Sequence, residues 1–266
     1  MQCKDILQQI ENDFPIAKAY EWDNVGLLVG RDDKEIQKVY VALDATEAVI
    51  EDAIQWGADL LLTHHPLVFS PLKKINNQNY ISNRIIKLIQ ADISYYAMHT
   101  NYDIVRMADL ASEKLGLLDA TPLEPIESNI SEGLGKMGYT SKVGLEEYVN
   151  YVKYAFEVPA IIVFDGSAYY EPSQELKEQE LQKVAILPGS GKSVIEEAIK
   201  QNVEILITGD IGHHEGIDAR DRGLTILDAG HYGIEHIFIE DMLEYIKGHF
   251  SLDIKGADLQ HPYEIL

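Results

Sequence analysis

Two adjacent histidines, His64 and His65, stand in LLTHHPLVF (Leu61–Phe69), between an apolar run and a proline, where packing alone asks for neither. Two other places put a histidine four residues ahead of a carboxylate: His99 and Asp103 in HTNYD, and His231 and Glu235 in HYGIE. Neutral imidazoles with carboxylates suit Zn, Fe(II), Mn or Ni, and two such ions side by side need a shared carboxylate to offset their repulsion. The chain has a single cysteine, Cys3, so an intrachain disulfide and any Cys-rich metal site are excluded and the donors must be N and O. A fourth cluster, GDIGHHEG (Gly209–Gly216), holds Asp210, His213 and His214. His214 is a candidate proton donor or pocket residue, the plain alternative being a polar helix cap. His236, His249 and His261 read as structural or surface residues.

Strands and helices must bring these groups to one place. Buried-strand runs at Lys38–Leu43, Ala58–Leu62 and Ile93–Met98 alternate with helical patterns at Ala48–Trp56, Ile81–Gln90 and Met107–Leu115, which predicts βαβ units and a mainly parallel sheet. In such sheets ligands gather beyond the C-terminal strand ends, where His64 and His65, His99 and Asp103, and His231 and Glu235 all fall. Adjacent residues of a regular strand face opposite ways, so both His64 and His65 serve one site only if the strand has just ended and Pro66 turns the chain.

The chain also repeats itself. VIEDAI (Val49–Ile54) returns as VIEEAI (Val194–Ile199), an offset of 145 residues that also sets ADLLLT (Ala58–Thr63) against VEILIT (Val203–Thr208) and Val39 against Val184. Thr208 then aligns with Thr63, and Gly209-Asp210 replaces His64-His65. The expected fold is α/β, with two pseudo-repeated lobes, residues 1–125 and 126–266, meeting in the Pro, Ser and Asn stretch Thr121–Gly133. The polar run Tyr169–Gln182 reads as an exposed loop or short helix.

Composition narrows the function. Twenty-two Lys and Arg against 44 Asp and Glu give a net charge of −22, which repels a bare phosphate backbone and argues against nucleic acid as a partner. No apolar run approaches the roughly 20 residues of a membrane span, and the polar N-terminus has no leader-like core, so a cytoplasmic protein is expected. GLGKMG (Gly133–Gly138) fits G-x-G-x-x-G by letter, but a Ser/Asn/Glu loop precedes it and no helix follows. GSGKS (Gly189–Ser193) resembles a P-loop end, yet the first glycine of that motif would fall on Ile186. Its backbone N–H groups remain an anion candidate, the plain alternative being a βα turn.

EWDNVGLLVG (Glu21–Gly30), LLTHHPLVF, HTNYD, the GLGKMG turn, TGDIGHHEG and DAGHYGIE, in that order, resemble the GTP cyclohydrolase I type 2 homologue family, also called Ngg-interacting-factor-three-like. The resemblance implies a toroidal homohexamer with a dinuclear metal centre between two α/β lobes. It implies that His64, His65, Asp103, His231 and Glu235 are the ligands of two divalent ions. Glu235 would bridge them, with His65 and Asp103 on one ion and His64 and His231 on the other. It implies the short form, without the extra domain some members carry, and opening of the guanine ring of GTP with release of formate. His99 and His214 are the proton-transfer candidates, and Asn24 and Asp210 the candidates for substrate contact; for Trp22, Asp23 and Asn24 the plain alternative is a turn that anchors the N-terminal helix. A metal-dependent hydrolase acting on a small molecule is the leading expectation. The alternatives are a metal-handling protein or chaperone, and a regulatory scaffold without catalysis.

Overall fold

The computed structural model describes residues 1–126, 129–171 and 181–265. The chain divides into two compact units: Met1–Tyr102 with Phe238–Leu259, and Asp103–Ile237 with Gln260–Leu266. The seam expected at 125/126 falls inside an antiparallel hairpin of the second unit, whose two strands carry register partners from Leu118 to Tyr139. Of the polar run 169–182, residues 172–180 lie outside the described residues.

In the first unit five strands, β1 (Gly26–Val29), β2 (Lys38–Ala42), β3 (Leu60–Thr63), β4 (Ser94–Ala97) and β11 (Asp253–Gly256), are ordered β1-β4-β3-β2-β11. Three of its four pairings are parallel and β1 runs antiparallel to β4. Leu60, Leu61 and Leu62 are fully buried, each worth about 1.5–3 kcal/mol of transfer from water, which explains an unbroken apolar run instead of an alternating one. The crossover helix Glu47–Trp56 starts at Thr46, whose hydroxyl accepts from Val49 N at 3.2 Å, and ends at Gly57 in the left-handed region. Helix Tyr80–Gln90 starts at Asn79, whose side chain accepts from the N–H groups of Ile81 and Ser82.

In the second unit β5 (Leu118–Ile126), β6 (Asn129–Ser141), β7 (Ile162–Phe164), β8 (Leu181–Ser190), β9 (Ile205–Gly209) and β10 (Thr225–Asp228) are ordered β5-β6-β8-β9-β10-β7. Here the expectation of a mainly parallel sheet needs correcting: β8-β9 and β9-β10 are parallel, whereas β5-β6, β6-β8 and β10-β7 are antiparallel. The hairpin β5-β6 takes the place that the parallel strand β11 has in the first unit. GLGKMG lies within β6 and is no dinucleotide loop.

The 145-residue repeat reappears in strand register. Val39, Tyr40 and Val41 of β2 face Leu60, Leu61 and Leu62, and Val184, Ala185 and Ile186 of β8 face Ile205, Leu206 and Ile207, each partner displaced by the same offset. Among the described residues no helix is long and apolar enough to cross a membrane.

Candidate metal centre

In the first unit β3 ends at Thr63, so His64 and His65 lie beyond the strand and the alternation of sides no longer applies. The turn is tied down: His65 N donates to Leu43 O at 3.0 Å, and the Tyr95 phenol donates to His65 O and accepts from Leu67 N, both at 2.8 Å. Burial pushes the Tyr95 hydroxyl well above its ordinary range, which keeps it a donor. As a result one Nδ1 or Nε2 atom from each of His64, His65 and His99 lies within 4.8 Å of the others.

Each imidazole is oriented from behind. His64, with no exposed surface, contacts the carbonyl of Met98 through Nδ1 at 2.9 Å. His65 Nδ1 meets Asp44 Oδ1 at 2.8 Å, and His99 Nδ1 meets Asp23 Oδ1 at 2.9 Å. A carbonyl or carboxylate at Nδ1 requires the proton there, leaving the Nε2 lone pair as the donor. This is the outer arrangement found behind metal-ligating histidines, where the acceptor fixes tautomer and ring orientation. Burial raises the Asp23 carboxyl, but hydrogen bonds from His99 and Thr100 outweigh it and hold the group far below the usual carboxylate range.

The second unit does the same with different parts. β10 ends at Asp228, whose carboxylate accepts from Gly230 N and Ile211 N, both at 2.9 Å, fixing two turns at once. Helix His231–Glu235 follows. His231 Nδ1 meets Asp210 Oδ2 at 2.8 Å, and His231 Nε2 lies 2.9 Å from Glu235 Oε2. Glu235 is buried, with its side chain 4% exposed. Two glycines make room for this pair. A Cβ on Gly189, whose φ is +80°, would sit 2.5 Å from Glu235 Oε1, and one on Gly209 would sit 2.4 Å from His231 N. Asp103 opens the π-helical turn Asp103–Met107, a form concentrated at functional sites.

The donor chemistry therefore fits a divalent cation: imidazole Nε2 atoms and carboxylate oxygens, with no thiolate. His99 belongs geometrically with His64 and His65. Asp210 stands behind His231. His213 and His214 are both exposed at the start of helix His213–Asp221, their rings 5.2 Å apart. Asn24 donates from Nδ2 to the carbonyl of Val68. Sequence reasoning missed Asp44, Tyr95 and Asp228, of which only Asp44, an acid directly after a strand, had any local signal. Lys192 of the GSGKS turn is ion-paired with Glu215, and helix Ile195–Lys200 lies beyond that turn.

The family description for Duf34/NIF3 (NGG1p interacting factor 3) matches residues 1–261. The chain belongs to the Duf34/NIF3 family. A relative from Clostridium perfringens named GTP cyclohydrolase 1 type 2 homolog is 32% identical over 272 aligned positions, covering all of both chains. Among solved structures, reduced HcgD from Methanocaldococcus jannaschii superposes with a TM-score of 0.82 at 31% identity over 97% of this chain and 98% of its own. A hypothetical protein of Staphylococcus aureus superposes at 0.85 with 24% identity over 100% and 99%, a likeness of fold. This Duf34/NIF3 chain thus shares its α/β fold with those structures over nearly its whole length.

Proposed function

We propose that the two donor groups act together: His64, His65, Asp103, His231 and Glu235 would hold two divalent cations, and the centre hydrolyses a C–N bond in a cyclic small molecule. The observation that carries this reading is the set of four histidines, His64, His65, His99 and His231, each with Nδ1 on a carbonyl or carboxylate.

A cation pair supplies Lewis acidity, polarising a carbonyl or amidine and making water nucleophilic near neutral pH. The chain's own residues do the rest. Asp44, Asp23 and Asp210 hold their histidines in register. His99, held by Asp23 at Nδ1, takes a proton from the attacking water at its Nε2 lone pair and passes it to the departing nitrogen. A net charge of −22 disfavours a free polyanion, so a triphosphate such as that in the name of the Clostridium perfringens relative enters only against cations. Assembly as a homohexamer belongs to the same proposal and is measured by solution mass.

The test is elemental analysis of protein purified without added metal, followed by hydrolysis assays on GTP, cyclic amides, cyclic amidines and phosphoesters. The proposal expects about two divalent ions per chain and turnover of a cyclic amide or amidine that chelation abolishes. Metal-loaded protein that turns over nothing in the panel, yet passes its metal to an apo acceptor, would replace the hydrolase with a metal-handling protein.

A further inference from the structure

Three aromatic side chains beside the histidine cluster have no part in holding a cation. Trp22 is 58% exposed and Phe69 52%. Tyr20 lies against Trp22 with ring centroids 5.6 Å apart and planes 16° from parallel, and Phe69 stands at 5.8 Å. His99 meets the indole edge-on at 6.1 Å while lying 5.2 Å from His64 and 5.5 Å from His65. The aromatic wall is therefore continuous with the candidate metal donors, entirely within the first unit.

The loop that carries Trp22 is fixed. Tyr20 N donates to Thr100 Oγ1 at 3.0 Å. The Asp23 carboxylate accepts from Thr100 N at 3.0 Å, from Thr100 Oγ1 at 2.6 Å and from His99 Nδ1 at 2.9 Å. Asn24 Nδ2 donates to Val68 O, beside Phe69. These bonds lock the indole against His99 and Phe69 while leaving its apolar surface in water, where the burial energy of a large aromatic goes unrealised. With Nδ2 committed to Val68, the Asn24 amide keeps Oδ1 as an acceptor.

We infer that Tyr20, Trp22 and Phe69 form a stacking shelf for a flat heteroaromatic ring, a mono- or bicyclic lactam or amidine, whose edge N–H is accepted by Asn24 Oδ1. This deepens the hydrolase reading and rests on it, since the shelf would present the ring to His64, His65 and His99. A small ring suits the surface better than a second copy of the chain: three part-exposed rings, each about 150–250 Å² in full, fall short of the roughly 800 Å² per partner of a stable interface. Base–aromatic stacking is strong enough for one such ring to set affinity.

The experiment uses the full chain with Trp56→Phe, which leaves Trp22 as its one tryptophan, because the protein has two. Indole emission is titrated with guanosine, with uracil and with dihydrouracil, whose ring is similar in size but neither aromatic nor flat. The inference expects saturable quenching by guanosine and uracil and none by dihydrouracil. It also expects Trp22→Ala to weaken the binding of these rings, followed by calorimetry, by about tenfold or more, and Trp22→Phe to restore part of it. Metal content should not change in either variant. No saturable quenching by either aromatic ring, or undiminished affinity in Trp22→Ala, overturns the shelf. So does an indole shielded from acrylamide in an oligomer that Trp22→Ala dissociates, which would assign the surface to a second copy. Stacking without bound metal or turnover sinks the hydrolase reading alone, whereas turnover with KM unchanged in Trp22→Ala sinks the shelf alone.

Discussion

The two units build the same two strand ends and furnish them in opposite ways. In the first, Asp44 follows β2, and His64 and His65 follow β3. One repeat length later the corresponding positions are Gly189, Gly209 and Asp210. The first unit puts imidazoles on the central strand and backs His65 with the acid on the neighbouring one. The second removes side chains from both equivalent places, so that Gly189 admits the Glu235 carboxylate and Gly209 admits the backbone of His231. The acid moves to Asp210, in the place of His65, and backs His231 instead. One framework thus makes a centre of fixed rings in one unit and a short donor helix seated on glycines in the other. The lesson is that divergence within a repeat can trade a ligand for the space a ligand needs.

The sharpest way to break this comparison is to fill that space. Gly209→Ala is expected to cost at least about 3 kcal/mol in chemical denaturation, because its Cβ would collide with backbone. Gly57→Ala, whose Cβ meets only Lys38 Nζ at 4.0 Å, should cost about 1 kcal/mol from the left-handed φ alone. Equal losses would mean that Gly209 is not there for room.

Among the described residues Asp23 has no counterpart in the second unit, and Asp23→Asn sharpens the contrast by pH. Its folded pKa is depressed, so the stability it adds is present above the unfolded carboxyl value near 4 and is lost as pH falls through the folded value. Urea titrations should show Asp23→Asn less stable than wild type by about 1.5–3 kcal/mol at pH 7. The gap should narrow progressively as pH falls below about 4. A constant gap down to pH 2 would contradict the assignment.

The acids behind the histidines should behave alike despite their different positions. Asp44→Asn and Asp210→Asn are each expected to weaken divalent-metal affinity by about 10- to 100-fold in competition titrations with a chromophoric chelator. An effect confined to one of them would mean that the two units do not share a design. The smallest effect is expected at the helix ends: Gly57 has φ +76°, and one repeat later Asn202 takes a similar turn at +56°. Asn202→Gly should therefore raise stability by about 0.5 kcal/mol in thermal unfolding, since it removes a side chain from a left-handed position.

Much of this was legible in residue order because strand ends are local facts. An apolar run, then Thr, then His-His-Pro announces both the strand and its end, and the 145-residue offset carried over into strand register. What was not legible depends on chain segments far apart in sequence. Asp44 reaches His65 across 21 positions, and Asp23 reaches His99 across 76. The hairpin β5-β6 was hidden because the Pro, Ser and Asn residues of Thr121–Gly133 have the composition of a linker. Asp210, a candidate for substrate contact, has its carboxylate on His231 Nδ1, 21 positions away.

The central proposal, that His64, His65, Asp103, His231 and Glu235 hold two cations, is tested most directly by counting ions. Protein purified without added metal, and its His64→Ala and Glu235→Ala variants, are each incubated with Zn, Fe(II), Mn or Ni, desalted and measured by elemental analysis. The account predicts about two ions per chain for wild type with at least one of these metals, with at least one ion lost in each variant. Glu235→Ala retaining both ions, or wild type retaining none, would contradict it.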